Sequence, residues 1–256
     1  MNIDWNNTNA AVWRARQNFL RPVNTIDPVM LDSLIGIDEQ KLQLVRNTER
    51  FLSGQPVNNA LLWGARGTGK SSLIKAVLNE YKDRNLRLIE VYKNDLQDLP
   101  DIVDEIRDLD YRFIIYCDDF SFEEGDATYI VLKTVLDGSI EAPPGNVILY
   151  ATSNRRHLMP EYMKDNLDSV VVDGELHYAD AIEEKISLSD RFGLWLSFYQ
   201  PDQDGYLAIV DSYFADYQGD RSRLHEEAIR FAMRRASRSG RTAKQFFNAW
   251  SASQLP

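Results

Sequence analysis

Five short apolar runs recur along the first two hundred residues: "ALLW" (60–63), "LRLIEVY" (86–92), "RFIIYC" (112–117), "NVILYAT" (146–152) and "LWLSFY" (194–199). Each is nearly continuous rather than alternating, the pattern of a strand covered on both faces. Segments long enough for crossover helices separate most of them, such as "KSSLIKAVLNEYK" and "YIVLKTVLDGS". The alternation predicts an α/β domain in which a parallel five-stranded sheet is sandwiched by helices. Upstream, "DEQKLQLVRNTERFLS" (38–53) predicts a helix, with Asp38 as its cap and Leu42, Val45, Glu49 and Leu52 along one face.

After Pro201 the pattern changes. "GYLAIVDSYFADYQ", "SRLHEEAIRFAMRRASRS" and "TAKQFFNAWSAS" are three helical stretches with no strand between them. The expected organisation is an N-terminal arm (1–30), an α/β core (31–200) and a small helical unit (201–256). The two prolines of "RPVNTIDP" predict an irregular arm rather than a helix. Trp5 and Trp13, in otherwise polar surroundings, are expected to dock on the core or to contact a neighbouring subunit.

Composition narrows the classes. A chain of 256 residues, 44% hydrophobic, can bury a sizeable core. No run approaches the ~18 apolar residues of a bilayer span, and the N-terminus lacks the features of a secretory signal, so the expectation is a cytoplasmic protein without membrane contact. Cys117 is the only cysteine, which excludes a disulfide framework; its apolar run predicts a buried thiol. The net charge of −10 argues against a surface made for non-specific nucleic-acid binding. That charge is uneven: residues 221–244 carry a local +6 against −16 for the rest. A solvated helical face, groups facing nucleotide phosphates and a nucleic-acid groove all fit this segment.

The chemistry concentrates in "GARGTGKS" (64–71), which matches G-x-x-x-x-G-K-[ST] and lies between a predicted strand and a predicted helix. Gly64, Gly67 and Gly69 let the backbone wrap closely, so that its N–H groups and the helix N-terminus face phosphate oxygens. Lys70 supplies a point charge and Ser71 a hydroxyl ligand for Mg²⁺. Ala65, Arg66, Thr68 and Ser72 complete the expected nucleotide-binding stretch, Arg66 either touching phosphate or pointing to solvent. After a later apolar run, "CDDF" places Asp118 to hold the metal and Asp119 to polarise the attacking water. The three histidines, His157, His177 and His225, lack metal-ligand spacing, and "PDQDGYL" lacks the distal Glu of a calcium loop.

A phosphate loop, an acidic pair closing an apolar strand, and a later strand ending in "ATSNRR" together resemble an AAA+ ATPase over roughly residues 31–250. More narrowly, the chain resembles a bacterial AAA+ family known mainly as a domain of unknown function. The resemblance implies that Asn154 positions water near the γ-phosphate, although it also suits a cap on the following turn. It implies that Arg191, in "SLSDRFGLWLSF", reaches the nucleotide of a neighbouring subunit; an ion pair with Asp190 is the alternative. Arg241, in "SGRTAKQF", matches an arginine of the helical lid, or is an exposed helix-start residue. Ile35 and Gly36, in "LIGIDEQK", match the turn that contacts adenine.

The chain departs from the family pattern at Asp119, where most active members carry Glu. The expected function is a Mg²⁺-dependent ATP-binding ATPase that assembles as a homo-oligomer through Arg191 and acts on an unidentified protein partner. The alternatives are a nucleotide-operated switch or scaffold with negligible hydrolysis, and a loader or adaptor acting on nucleic acid, which is not favoured.

Overall fold

The computed structural model describes residues 3–120, 132, 142–154 and 191–253. All five predicted strands are present in it: β3 (Ala60–Gly64), β4 (Leu86–Glu90), β5 (Arg112–Cys117), β6 (Val147–Ser153) and β7 (Leu194–Phe198). They are mutually parallel, and their order across the sheet is β4-β5-β6-β3-β7. All five therefore end at one edge, where the loops that follow them converge.

Among the described residues the sheet has seven strands rather than the five expected. β1 (Ala10–Arg14) and β2 (Phe19–Pro22) form an antiparallel hairpin, and β1 runs parallel to β4, so the order becomes β2-β1-β4-β5-β6-β3-β7. The segment expected as an irregular arm thus enters the sheet. Its strands are short, and β1 is apolar on both sides, so no two-residue alternation marks it. The tryptophans supply the anchoring. Trp13 is fully buried and its indole N–H donates to Asp98 at 2.9 Å, while Trp5 sits edge-on to Phe113 with ring centroids 5.0 Å apart.

Strand residues alternate between two apolar layers. Leu61, Ile89, Phe113, Ile115 and Leu149 face α3 (Leu99–Ile106) and the N-terminal tryptophans. Leu62, Leu88, Ile114, Tyr116 and Tyr150 face α1 (Asp38–Leu52) and α2 (Lys70–Tyr81). α1 buries Leu44, Thr48 and Phe51, and Leu42 on the predicted apolar face is 60% exposed. The stripe lies one step around the helix because Thr48 serves as a core residue: its hydroxyl bonds back to Leu44 O and to the buried Tyr150 hydroxyl. Asp38 does not cap α1 either; Ile37 occupies that position and Asp38 pairs with Lys41 at 2.7 Å.

The C-terminal region forms α4 (Gln203–Tyr213), α5 (Arg221–Arg234) and α6 (Gly240–Ser253) around their own core of Tyr206, Val210, Phe214, Leu224, Ala228, Ala243 and Phe246. Asp202 and Asp220 cap the first two helices by accepting backbone N–H bonds. The acidic residues of "PDQDGYL" thus serve in part as helix-starting chemistry.

Candidate functional site

The loop after β3 is shaped by glycine. Gly64 has φ +130°, and a Cβ there would lie 2.0 Å from the carbonyl oxygen of Phe198 on β7, so only glycine permits the approach. The Ala65 N–H donates to that oxygen at 3.0 Å and ties the loop to the end of β7. Gly67 and Gly69 also have positive φ. Thr68 closes the turn by donating to Ala65 O at 2.8 Å. Lys70 then opens α2, whose first N–H groups have no intrahelical partner and face the mouth of the loop.

Lys70 is 6% exposed. Its ammonium donates to the carbonyls of Gly64 and Ala65 at 2.8 and 2.7 Å and to Asn154 Oδ1 at 3.2 Å. Burial pushes its pKa below the ordinary lysine value; Arg241 and Arg66 add to that depression, and Asp118 and Asp119 oppose it. The predicted residues at the strand ends converge on the same point. Asp118 Oδ1 accepts from Ser71 Oγ at 2.9 Å and from Thr152 Oγ1. Asp119 accepts from Asn154 Nδ2 at 2.6 Å, and its own N–H donates to Thr152 Oγ1 at 3.1 Å. Burial raises the pKa of Asp118, but the hydrogen bonds from Thr152, Ser71 and Tyr116 outweigh it and hold the carboxyl below its usual range. Glu90, at the end of β4, is raised by burial and by the charge of Asp118.

The remaining predicted residues divide. Arg241 lies in the first turn of α6, next to Gly240, whose N–H donates to Gly67 O at 3.0 Å. A Cβ at Gly67 would meet Ser239 and Arg241, so the helical unit rests directly on the phosphate loop. Arg66 is exposed, and Ser72 is half-buried in the first turn of α2. Ile35 is 37% exposed and Gly36 has φ +76° with open space around it; the neighbouring Ile37, which sequence reasoning passed over, is the residue that reaches Gly69. Arg191 stands before β7, whose first residue pairs with Ala60 and whose last pairs with Gly64. It is therefore at the opposite edge of the sheet from its own phosphate loop, by roughly 13 Å of strand. Asp190, His157 and His177 lie outside the described residues. His225 contacts Asp211 at 2.8 Å, away from the loop.

Thr152 was not anticipated. Its signal was present in "ATSN", where it shares a strand face with Asn154, but its partners are set by the pairing of β5 with β6, which the sequence does not display.

The donor set suits Mg²⁺ bound with a nucleotide. Ser71 Oγ and the Asp118 carboxylate are hard oxygens within 2.9 Å of each other, and Mg²⁺ takes few protein ligands when phosphate oxygens and waters supply the rest. Among the described residues there is no group of three or more His, Cys, Asp or Glu that would hold a metal without phosphate.

A parallel core with its glycine-rich loop, acidic pair and polar strand tip at one edge, followed by a helical unit resting on that loop, defines a P-loop ATPase fold of the AAA+ type. The chain belongs to the family described as "Protein of unknown function (DUF815)", which it matches over residues 6–254. Two structures of RuvB variants from Thermotoga maritima cover 87% of this chain and 72% of theirs, with TM-score 0.50 and 14% identity, a likeness of fold. Part of the chain is 36% identical over 77 residues to the Replication factor C large subunit of Ignicoccus hospitalis, covering 29% of this chain and 16% of that protein. The corresponding subunit of Sulfolobus acidocaldarius is 37% identical over 78 residues, 30% of this chain and 17% of its own length. The matched stretch thus spans about one-sixth of these curated relatives.

Proposed function

We propose that the protein is a Mg²⁺-dependent ATP-binding AAA+ ATPase that couples nucleotide binding and hydrolysis to a conformational change in a protein partner. The observation that carries this reading is the convergence of Lys70, the Ser71–Asp118 pair and the Asp119–Asn154 pair on the mouth of one glycine-rich loop. Loop N–H groups and the α2 N-terminus bind the phosphates, and Lys70 turns from the loop carbonyls toward them. An anion at that point offsets the burial cost that depresses Lys70. The bound metal supplies neutralisation of the charge on the β- and γ-phosphate oxygens. Ser71 and Asp118 hold it, while Asp119 and Asn154 orient water. Arg191, too far from its own loop, completes the site of a neighbouring copy, so assembly precedes efficient turnover. Arg241 carries loss of the γ-phosphate into the helical lid.

Adenine recognition by the Ile35–Gly36 turn and a cytoplasmic location belong to the same proposal. No helix among the described residues is long and apolar enough to cross a membrane. A switch with negligible hydrolysis is the second reading, favoured by one feature: Asp119, one methylene shorter than Glu, already has its carboxylate engaged by Asn154. A nucleic-acid loader is the third. The names of the Replication factor C relatives and the basic lid support it, and the acidic charge of the remaining chain weighs against it.

Equilibrium titration with a fluorescent ATP analogue, with and without Mg²⁺, tests the binding reading. The wild-type chain is expected to bind saturably and more tightly with Mg²⁺. Lys70→Ala removes a charge-assisted contact worth about 1.5–3 kcal/mol, or roughly ten- to hundredfold in affinity. Equal binding by wild type and Lys70→Ala would overturn the assignment of the loop.

A further inference from the structure

Thr152 is 2% exposed and sits at the tip of β6, on the strand face shared with Asn154. Its hydroxyl donates its one proton to Asp118 Oδ1 and accepts from the Asp119 N–H at 3.1 Å. The carbonyl of the same residue accepts from the Phe120 N–H at 2.6 Å. One residue on β6 therefore holds three successive residues after β5, through one carboxylate and two backbone N–H groups.

The turn it holds is not relaxed. Asp119 has φ +53°, a left-handed conformation that a non-glycine residue adopts at a cost. Such a turn persists only where its surroundings over-determine it. The Asp118 carboxylate is fixed from both sides as well, by Ser71 on α2 and by Thr152 on β6, both on the same oxygen. Tyr116 adds a further hydrogen bond to the same carboxyl.

We infer that Thr152 is a positioning residue for the metal-nucleotide site, clamping the Asp118–Asp119 turn so that Asp118 presents its carboxylate to Mg²⁺ beside Ser71. With its hydroxyl engaged by Asp118 and the Asp119 N–H, Thr152 acts through the acidic pair. Asn154, just past the end of β6, holds the far end of the same turn through the Asp119 carboxylate, so Thr152 and Asn154 divide the pair between them. The inference rests on the Mg²⁺-nucleotide reading above.

The test compares the full-length chain with Thr152→Val, which keeps the shape and removes the hydroxyl, and Thr152→Ser, which keeps the hydroxyl. For each protein a fluorescent ADP analogue is titrated with saturating Mg²⁺ and with excess chelator, and the ratio of the two affinities is the readout. Thr152→Val is expected to reduce that ratio by about tenfold, the loss of one hydrogen bond to a charged group. Thr152→Ser is expected to restore it to within about twofold. Should the valine protein not fold, Thr152→Ala, which leaves room for water beside Asp118, is expected to show the same loss. A wild-type ratio in the valine or alanine protein overturns the clamp, as does a serine protein no better than valine. Lys70→Ala separates the two levels: if it binds nucleotide as the wild type does, the reading of the site fails, whereas loss there with a wild-type ratio at position 152 removes the clamp alone.

Discussion

At the scale of single residues, Asp119 concentrates the tension in this site. It is the expected water-polarising group, it is held in a left-handed conformation, and its carboxylate is bonded to Asn154. Asparagine tolerates left-handed backbone better than most residues. Asp119→Asn is therefore expected to melt no lower than the wild type while losing phosphate release by tenfold or more; a thermal melt run beside a turnover assay checks both. Asp119→Glu is expected to raise turnover, because the longer side chain reaches past the Asn154 contact toward the water. The glycine-shaped turn of the candidate site was legible in the sequence because it is local: eight consecutive positions carry its glycines, Lys70 and Ser71. Thr152 and Ile37 were not, because their partners Asp118 and Gly69 are brought to them only by strand pairing and by the packing of the turn before α1.

At the scale of elements, the five parallel strands were readable because burial on both faces makes each run apolar throughout. The β1–β2 hairpin was not, since its strands are short and its hold on the fold comes from two tryptophans in distant contacts. Trp13→Ala is expected to cost about 3–5 kcal/mol in urea unfolding, from the lost volume and the orphaned Asp98 contact. Gly64→Ala is expected to fail to fold or to lose β7 from the sheet, because its Cβ would collide with the Phe198 carbonyl; circular dichroism and limited proteolysis would show it. The α1–α2 contact carries a pH signature. Burial, together with the hydrogen bond to Glu49 and its charge, pushes the Tyr81 phenol from 10.0 up to about 12. Between those pH values the folded chain keeps a proton that the unfolded chain has released. This contribution to stability is therefore complete below pH 10 and is lost as the pH rises toward 12. Tyr81→Phe is expected to flatten that alkaline limb in unfolding measured at several pH values.

At the scale of the whole molecule, two features point outward from the single chain. Arg191 precedes β7, at the sheet edge opposite the phosphate loop, which under the proposed function assigns it to the site of a neighbouring copy. The C-terminal helical unit touches that loop through the Gly240 N–H and the Gly67 carbonyl, so under the proposed function loss of phosphate would pass directly into the C-terminal helices. Specific turnover is accordingly expected to rise with protein concentration, and Arg191→Ala to remove that rise while leaving nucleotide affinity near that of the wild type. The C-terminal helices were legible from the loss of strand pattern after Pro201, whereas their contact with the loop was not, because it runs through the backbone of Gly67 and Gly240 and no side-chain pattern encodes it.

The proposed ATPase activity is tested most directly by steady-state phosphate release from ATP with Mg²⁺ over a range of protein concentrations, for the wild type, Lys70→Ala and Asp119→Asn. Turnover is expected to rise with concentration and to collapse in both variants. Saturable ATP binding with no release at any concentration, or release that persists in Lys70→Ala, would contradict the proposal.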